Sequence, residues 1–211
     1  MRVRWATVAD VKSIARLWHH AWHGAHSKFV SPDALQLCTL RSFEARAQSS
    51  LFEQDTRASC PALSRRPTML VAEEEGVTSF EEDNGLSGFA VISGGATLEH
   101  LYVDTNFQGH GIGSRLLHAA ENVMLDERHN SVAHLVVAMR NLRAIKFYKR
   151  HAWYSADRLP AVSTWEPVHL EEAHASLTQA ERDATSMRCT QFRKHLGYEG
   201  NPNDGEIGST M

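Results

Sequence analysis

Residues 108–114 read Gln-Gly-His-Gly-Ile-Gly-Ser, and they lie between an apolar stretch at 98–103 and a helical pattern that begins at Ile112. Glycine at every second position lets the backbone approach a ligand with no side chain in between. The amides of such a turn point together at the start of a helix, where the partial positive charge favours a diphosphate. The turn lacks the lysine of a P-loop, and its G-x-G-x-G spacing differs from the dinucleotide fingerprint G-x-G-x-x-G. A tight strand-to-helix turn without a ligand also explains the glycines. The sequence on either side of the turn has to distinguish between these two interpretations.

The elements around this turn alternate between strand and helix. Residues 98–103 predict a strand, the helix after the turn carries an apolar stripe, and Val132–Ala138 predicts a buried, central strand. Asn141 is placed to cap a further helix. The apolar positions that support the two helices are Ile112, Leu116, Leu117, Ala120 and Met124 in the first, and Ile145, Phe147 and Tyr148 in the second.

The first half of the chain predicts a strand over 2–6 and a capping box at Thr7-Val8-Ala9-Asp10. An amphipathic helix follows, and Ser31-Pro32-Asp33 starts a second helix that extends to about residue 53. Two strands at 68–72 and 88–92 flank an acidic connection. The predicted order is therefore strand, two helices, three strands, helix, strand, helix. The apolar positions of the first helix are Val11, Ile14, Leu17, Trp18 and Trp22.

From Leu98 to Trp153 the chain resembles the GNAT superfamily of N-acetyltransferases. Leu98-Glu99-His100-Leu101-Tyr102-Val103-Asp104, followed by Gln108-Gly-x-Gly-x-Gly, resembles the family's fourth strand and diphosphate loop. Asn141-x-x-Ala144-x-x-Phe147-Tyr148 resembles its second cofactor motif. The resemblance implies an α/β (α+β) GNAT fold, in which a mixed central sheet with parallel, splayed strands 4 and 5 is flanked by helices.

The resemblance also implies acetyl-CoA as the co-substrate and no metal. The pantetheine arm is expected between the splayed strands, bonded to the backbone of the fourth strand, and the diphosphate on the glycine turn. The residues expected to bind the coenzyme are Leu101, Tyr102, Val103, Gln108, Gly109, His110, Gly111, Ile112, Gly113, Ser114, Asn141, Ala144 and Phe147.

A primary amine needs a base, because at neutral pH only about one molecule in a thousand is unprotonated. Glu99, expected on the same strand face as Leu101 and Val103, is the candidate general base, and the family resemblance assigns it that role. His100 is expected to face away, but a bulge in the strand would make it an alternative. Tyr148 is the candidate general acid for the departing thiolate, and the resemblance implies the Val103 amide as an oxyanion donor. A surface role for Glu99 and a core role for Tyr148 are the competing interpretations.

The acceptor is expected to be a primary amine of a small molecule or a peptide, attacked directly because none of the three cysteines falls in a matched motif. The alternative is a non-catalytic GNAT-like subunit that serves assembly or acyl-CoA sensing. Trp18, Trp22 and Phe29 either wall the acceptor pocket or pack in the core, and core packing is favoured. His19, His23 and His26 share helical spacing, but a metal site would need ligands that the sequence does not show.

The net charge of −3 argues against nucleic acid as a partner, and no apolar run is long enough to span a membrane. Three widely spaced cysteines fit neither a disulfide framework nor a C-x-x-C metal site, so we expect a cytoplasmic protein. The sequence is compatible with a homodimer.

The carboxy-terminal part departs from the family pattern. Ala152-Trp153 replaces the usual Gly-Phe, and the last two strands are expected at 153–159 and 163–170. We expect the acetyltransferase domain to span residues 1–170, a helical extension 171–197, and a disordered tail 198–211. The extension is supported by a capping box and by apolar residues at helical spacing: Thr178, Glu181, Ala184, Met187, Phe192 and Leu196, ending at Gly197.

Overall fold

The computed structural model describes residues 1–28, 30–55, 68–74, 85–93, 96–127, 131–155, 162–164 and 186–196. Seven strands form one sheet in the order β1-β2-β3-β4-β5-β8-β6, and β7 pairs with the first residues of β8. Neighbouring strands are antiparallel except β4 and β5, which are parallel. This arrangement confirms the predicted mixed sheet. The strands are β1 Arg2–Trp5, β2 Thr68–Glu73, β3 Leu86–Ser93, β4 Thr97–Val103, β5 Val132–Ala138, β6 Tyr154–Ser155, β7 Val162–Thr164 and β8 Ser186–His195.

The helices flank the sheet, and the predicted second helix proves to be two. Thr39 separates them, because its side-chain oxygen accepts the Ser42 amide at 3.3 Å and so starts a new helix. None of the helices within the described ranges is long and apolar enough to cross a membrane. The helices are α1 Val11–His26, α2 Pro32–Leu37, α3 Leu40–Asp55, α4 Ile112–Asn122 and α5 Leu142–Arg150, with a π-helical turn Val123–Glu127 after α4.

The predicted capping box before α1 is confirmed. The Thr7 amide donates to Asp10 Oδ2 at 2.8 Å, and the Arg4 guanidinium contacts the same carboxylate at 2.8 Å. Burial opposes the charge on Asp10, but the hydrogen bonds from Arg4 and Thr7 outweigh it and lower the pKa of this carboxyl. Arg4 also pairs with Glu73, so the network joins β1, β2 and the start of α1.

Each face of the sheet is covered by its own core. In β2, Met69 and Val71 face the core under α1 and α3, whereas Leu70 and Ala72 face the core under α4. Because both faces are buried, β2 and β3 consist of nearly continuous apolar residues.

The predicted carboxy-terminal helix is wrong over residues 186–196. These residues form β8, which runs antiparallel to β5 from Val132↔His195 to Ala138↔Cys189. Pairing between β8 and β5 satisfies the backbone hydrogen-bonding groups of both strands. Such tertiary pairing outweighs the helical spacing of the apolar residues in the sequence. β6 lies within the predicted strand 153–159, and β7 begins one residue before the predicted strand 163–170 and overlaps it. Residues 156–161, 165–185 and 197–211, which include the predicted disordered tail 198–211, lie outside the described part of the chain.

Candidate active site

β4 and β5 separate soon after they meet. They pair at Thr97↔His134 and Leu98↔Leu135, and the His134 amide donates to the Ala96 carbonyl at 2.8 Å. Farther along β4, the Asp104 amide donates to the backbone carbonyl of Ser87, near the start of β3, at 2.9 Å. Because amides alternate in direction along a strand, the N–H groups of Val103 and Leu101 then point into the gap beside β5. The gap can therefore take an extended ligand as an additional strand.

A β-bulge interrupts β4 at Glu99. His100 pairs with Val91, but the next partner of β3, Ile92, pairs with Leu98, so Glu99 is the extra residue. The bulge breaks the simple alternation of faces that the sequence predicted for Glu99. Its side chain is exposed and accepts a hydrogen bond from the Ser93 hydroxyl.

The glycine turn has the backbone that its sequence predicts. Gly109 and Gly111 have φ of 89° and 79°, and a Cβ built at either position would meet no protein atom within 4 Å. The space beside both residues is therefore open to a ligand. A Cβ on Gly113 would lie 3.5 Å from the Phe147 ring, which is an ordinary van der Waals contact, so α5 packs beside the turn at this position. Gln108 Nε2 donates to the Val103 carbonyl at 3.0 Å and ties the turn to the end of β4.

One cavity of about 940 Å³ joins the glycine turn, the strand gap and the start of α5. Glu99 and His110 are the predicted site residues that do not line it; His110 is exposed and bonds to the Phe107 carbonyl at 3.2 Å. The predicted residues that do line it are Leu101, Tyr102, Val103, Gln108, Gly109, Gly111, Ile112, Gly113, Ser114, Asn141, Ala144, Phe147 and Tyr148. Sequence reasoning missed lining residues that belong to no motif, among them Ala21, Gly24, Ala25, Lys28, Arg140, Arg143, Arg150 and His151.

Tyr148 lies against the cavity with its ring packed among aromatic side chains. Its ring centroid is 5.3 Å from that of Phe147, 6.1 Å from Trp153 and 6.5 Å from Phe192. Burial raises the pKa of its phenol well above the usual range. The hydroxyl therefore carries its proton at neutral pH.

The start of α5 is held by the predicted cap, because the Asn141 side chain accepts the Ala144 amide at 3.1 Å. At the other end, Ala152 has φ of 58°, the left-handed conformation for which the family's glycine is suited. The Trp153 amide donates to the Tyr148 carbonyl at 3.1 Å and the Ala152 amide to Lys149 at 3.3 Å. These bonds form a Schellman motif, so alanine keeps the turn despite its Cβ.

Trp18 and Trp22 are each 2% exposed and belong to the core, which confirms the favoured interpretation; Phe29 lies outside the described residues. The Trp18 ring lies 4.6 Å from that of His100. Burial lowers the pKa of His100 to about 3, so this imidazole is neutral at physiological pH.

Two of the histidines of α1 are hydrogen-bonded to backbone carbonyl groups of the protein. His23 Nε2 bonds to the Cys38 carbonyl at 2.8 Å, and His26 Nδ1 bonds to the Trp22 carbonyl at 2.9 Å. Within the described ranges, no three His, Cys, Asp or Glu side chains come together in a way that could hold a metal ion.

A glycine turn at a helix start, a gap between parallel strands and a buried tyrosine on one cavity define a transferase that takes its acyl group from a coenzyme. The model of the GNAT acetyltransferase family matches residues 34–153, more than half of the chain, and the chain belongs to this family. The predicted acetyl-CoA co-substrate is confirmed by this membership.

Solved structures share the fold at low sequence identity. PaiA N-acetyltransferase from Thermoplasma acidophilum, in complex with coenzyme A, is 14% identical with a TM-score of 0.63, covering 92% of this chain and 98% of that chain. A GCN5-related N-acetyltransferase from Rhodopseudomonas palustris is 15% identical with a TM-score of 0.64, covering 92% and 95%. Ribosomal-protein-alanine N-acetyltransferase from Brucella melitensis is 18% identical with a TM-score of 0.60, covering 93% and 100%. No curated protein sequence matches the chain significantly.

Proposed function

We propose that this protein transfers the acetyl group of acetyl-CoA to a primary amine of a small molecule or a peptide. One observation carries the proposal: a single cavity is lined by the glycine turn, by the gap between β4 and β5, and by Tyr148. A diphosphate and a thioester on one extended coenzyme require that continuity. The cytoplasmic location and the homodimer stay predictions from the sequence.

The residues of the cavity fit the coenzyme. Gly109 and Gly111 leave open the space that phosphate oxygens need beside backbone amides at the start of α4. The inward amides of Leu101 and Val103 offer hydrogen-bond donors to the carbonyl groups of the pantetheine arm and its thioester. Asn141, Ala144 and Phe147 form the opposite wall at the start of α5.

Three groups serve the chemistry. Glu99, at the bulge of β4, is the proposed general base. Because its side chain does not line the cavity, it would take the amine proton through water. The amide of Val103 stabilises the oxyanion that forms when the amine attacks the thioester carbonyl. As the carbon–sulfur bond breaks, Tyr148 donates its phenolic proton to the departing sulfur, which leaves as the free thiol.

A panel of primary amines and peptide amino termini, assayed with acetyl-CoA for thiol release, tests the proposal. We expect release above the amine-free rate with at least one acceptor class. Coenzyme binding without transfer to any acceptor would favour the assembly or sensing subunit, and failure to bind coenzyme A would overturn both.

The same assay separates the two candidate bases. Glu99→Gln should lower kcat/KM by about 10²-fold, in the range that positioned bases contribute. His100→Asn is the matched control on the adjacent residue, and it should change kcat/KM by less than about threefold, since a neutral imidazole packed on Trp18 is a poor proton acceptor. The opposite ranking would assign the base to His100.

A further inference from the structure

The cavity reaches both faces of the sheet through the gap between β4 and β5. Leu101 and Val103 pack against the core under α4, whereas Tyr102, the residue between them, packs against the core under α1 and α3. All three residues line the cavity. The glycine turn at the start of α4 suits the diphosphate on the first of these faces, so the face under α1 is left for the acceptor.

The wall on the acceptor side is one row of residues on α1 and the turn after it. Ala21, Gly24 and Ala25 line the cavity, and their spacing of three and four positions places them on one face of the helix. Lys28 continues this spacing just beyond α1 and lines the cavity as well. Glycine inside a helix is less stable than alanine, and a Cβ on Gly24 would meet no protein atom within 4 Å. The space beside this row is therefore open to a ligand.

The cationic side chains of the lining fall into two groups. Arg140, Arg143 and Arg150 belong to α5 or come shortly before it. Because α5 packs beside the glycine turn, these arginines suit the phosphate groups of the coenzyme. Lys28 is the cation that the α1 side contributes within the described part of the chain, and its side chain is exposed.

No negative charge balances this lysine in the described lining of the cavity, which contains neither aspartate nor glutamate. Burial raises the pKa of Tyr102 above its usual range, so its phenol is uncharged. An acceptor with a second cationic group would lose hydration in the cavity without gaining a carboxylate, and Lys28 would repel it. An anionic group would instead gain an opposite charge.

We propose that the acceptor carries an anionic group in addition to its amine, and that Lys28 binds this group while the amine attacks the thioester in the gap. The inference rests on the proposed function, because it names the substrate class of the same site. It favours amino acids and acidic peptide amino termini over polyamines as acceptors.

Two matched sets of acceptors test the charge. The first set is γ-aminobutyrate, its amide and agmatine, and the second is the carboxyl-amidated dipeptides alanyl-aspartate, alanyl-asparagine and alanyl-arginine. Each member has a single primary amine, and the distal group changes from anionic to neutral to cationic. Thiol release with acetyl-CoA should give the highest kcat/KM for the anionic member. Its advantage over the neutral member should be about threefold to fivefold, the upper range for an exposed ion pair.

Variants of the lysine test its role directly. Lys28→Gln should raise the KM of the anionic acceptor by about threefold to fivefold and remove the preference, and Lys28→Glu should make the cationic member preferred. Lys12→Gln is the matched control, because Lys12 is an exposed lysine of α1 outside the cavity lining, and it should keep the preference. Calorimetry should show unchanged affinity for coenzyme A in Lys28→Gln.

A preference for the neutral or cationic member, or an anionic preference that Lys28→Gln retains, would overturn the inference and leave the proposed function intact. Weaker binding of coenzyme A in Lys28→Gln with an unchanged acceptor preference would also overturn it, because the lysine would then serve the phosphates. Absence of transfer to every acceptor would overturn the proposed function and this inference together.

Discussion

Replacing Tyr148 with phenylalanine tests the proposed proton donor with little structural disturbance. The ring is 8% exposed, and its contacts with Phe147, Trp153 and Phe192 involve carbon atoms that phenylalanine keeps. Within the described residues, no hydrogen bond joins the hydroxyl to another group, so the free energy of unfolding should change by less than about 1 kcal/mol. Loss of the general acid should lower kcat by about 10²-fold, which corresponds to about 2.7 kcal/mol in the barrier.

Steady-state thiol release gives kcat, and calorimetry gives the affinity for acetyl-CoA, which should stay within about twofold. Tyr154→Phe is the matched control, because Tyr154 stacks on His195 outside the cavity lining and should leave kcat unchanged. The raised pKa of Tyr148 has a second consequence, because the folded state holds the phenolic proton more tightly than the unfolded state does. The free energy of unfolding should therefore fall as the pH rises above about 10. Tyr148→Phe should reduce that fall. Equal kcat in Tyr148→Phe and the unaltered enzyme would refute the proton-donor role.

Two further predictions concern stability. Ala152→Gly should raise the free energy of unfolding by about 0.5–1 kcal/mol in denaturant titrations, because relief of left-handed strain exceeds the entropy cost of glycine. The control Ala119→Gly, inside α4, should instead lower the free energy of unfolding by about 1 kcal/mol. If both variants changed the free energy of unfolding in the same direction, Ala152 would not be strained. His100→Asn should weaken the loss of stability at acid pH. In the folded state the pKa of His100 is lowered from 6.5 to about 3. The neutral imidazole therefore contributes to the free energy of unfolding above pH 6.5, and this contribution is lost as the pH falls from 6.5 toward 3. Between about pH 7 and 4 the unaltered protein should lose about 3 kcal/mol more than the variant. Parallel pH curves would show that His100 does not contribute to the acid transition.

The sequence predicted the donor side of the site because backbone geometry is encoded locally there. Gly109 and Gly111 adopt the positive φ that only glycine takes without strain, and Asn141 caps α5 as its position indicates. The capping box at Asp10 is equally local, since both partners lie within four residues.

The remaining features depend on contacts between distant residues. β8 carries apolar residues at a spacing that suits a helix, and its pairing with β5 decides otherwise. The bulge at Glu99 arises from the register with β3, so the sequence could suggest a bulge but not locate it. The contact between Ser114 and His151 joins two helices that neither motif relates. The acceptor side has no motif, and the small α1 residues that line the cavity, Ala21, Gly24 and Ala25, were therefore not predicted.

The position of β8 between β5 and β6 has a consequence for synthesis of the protein. Phe192 of this strand supplies part of the aromatic wall around Tyr148, although it follows that tyrosine by more than forty residues. A nascent chain that has already produced both coenzyme motifs therefore still lacks an inner strand of its sheet. Residues 186–195 have to leave the ribosome before this sheet can be completed, so we expect shorter nascent chains to lack acetyltransferase activity.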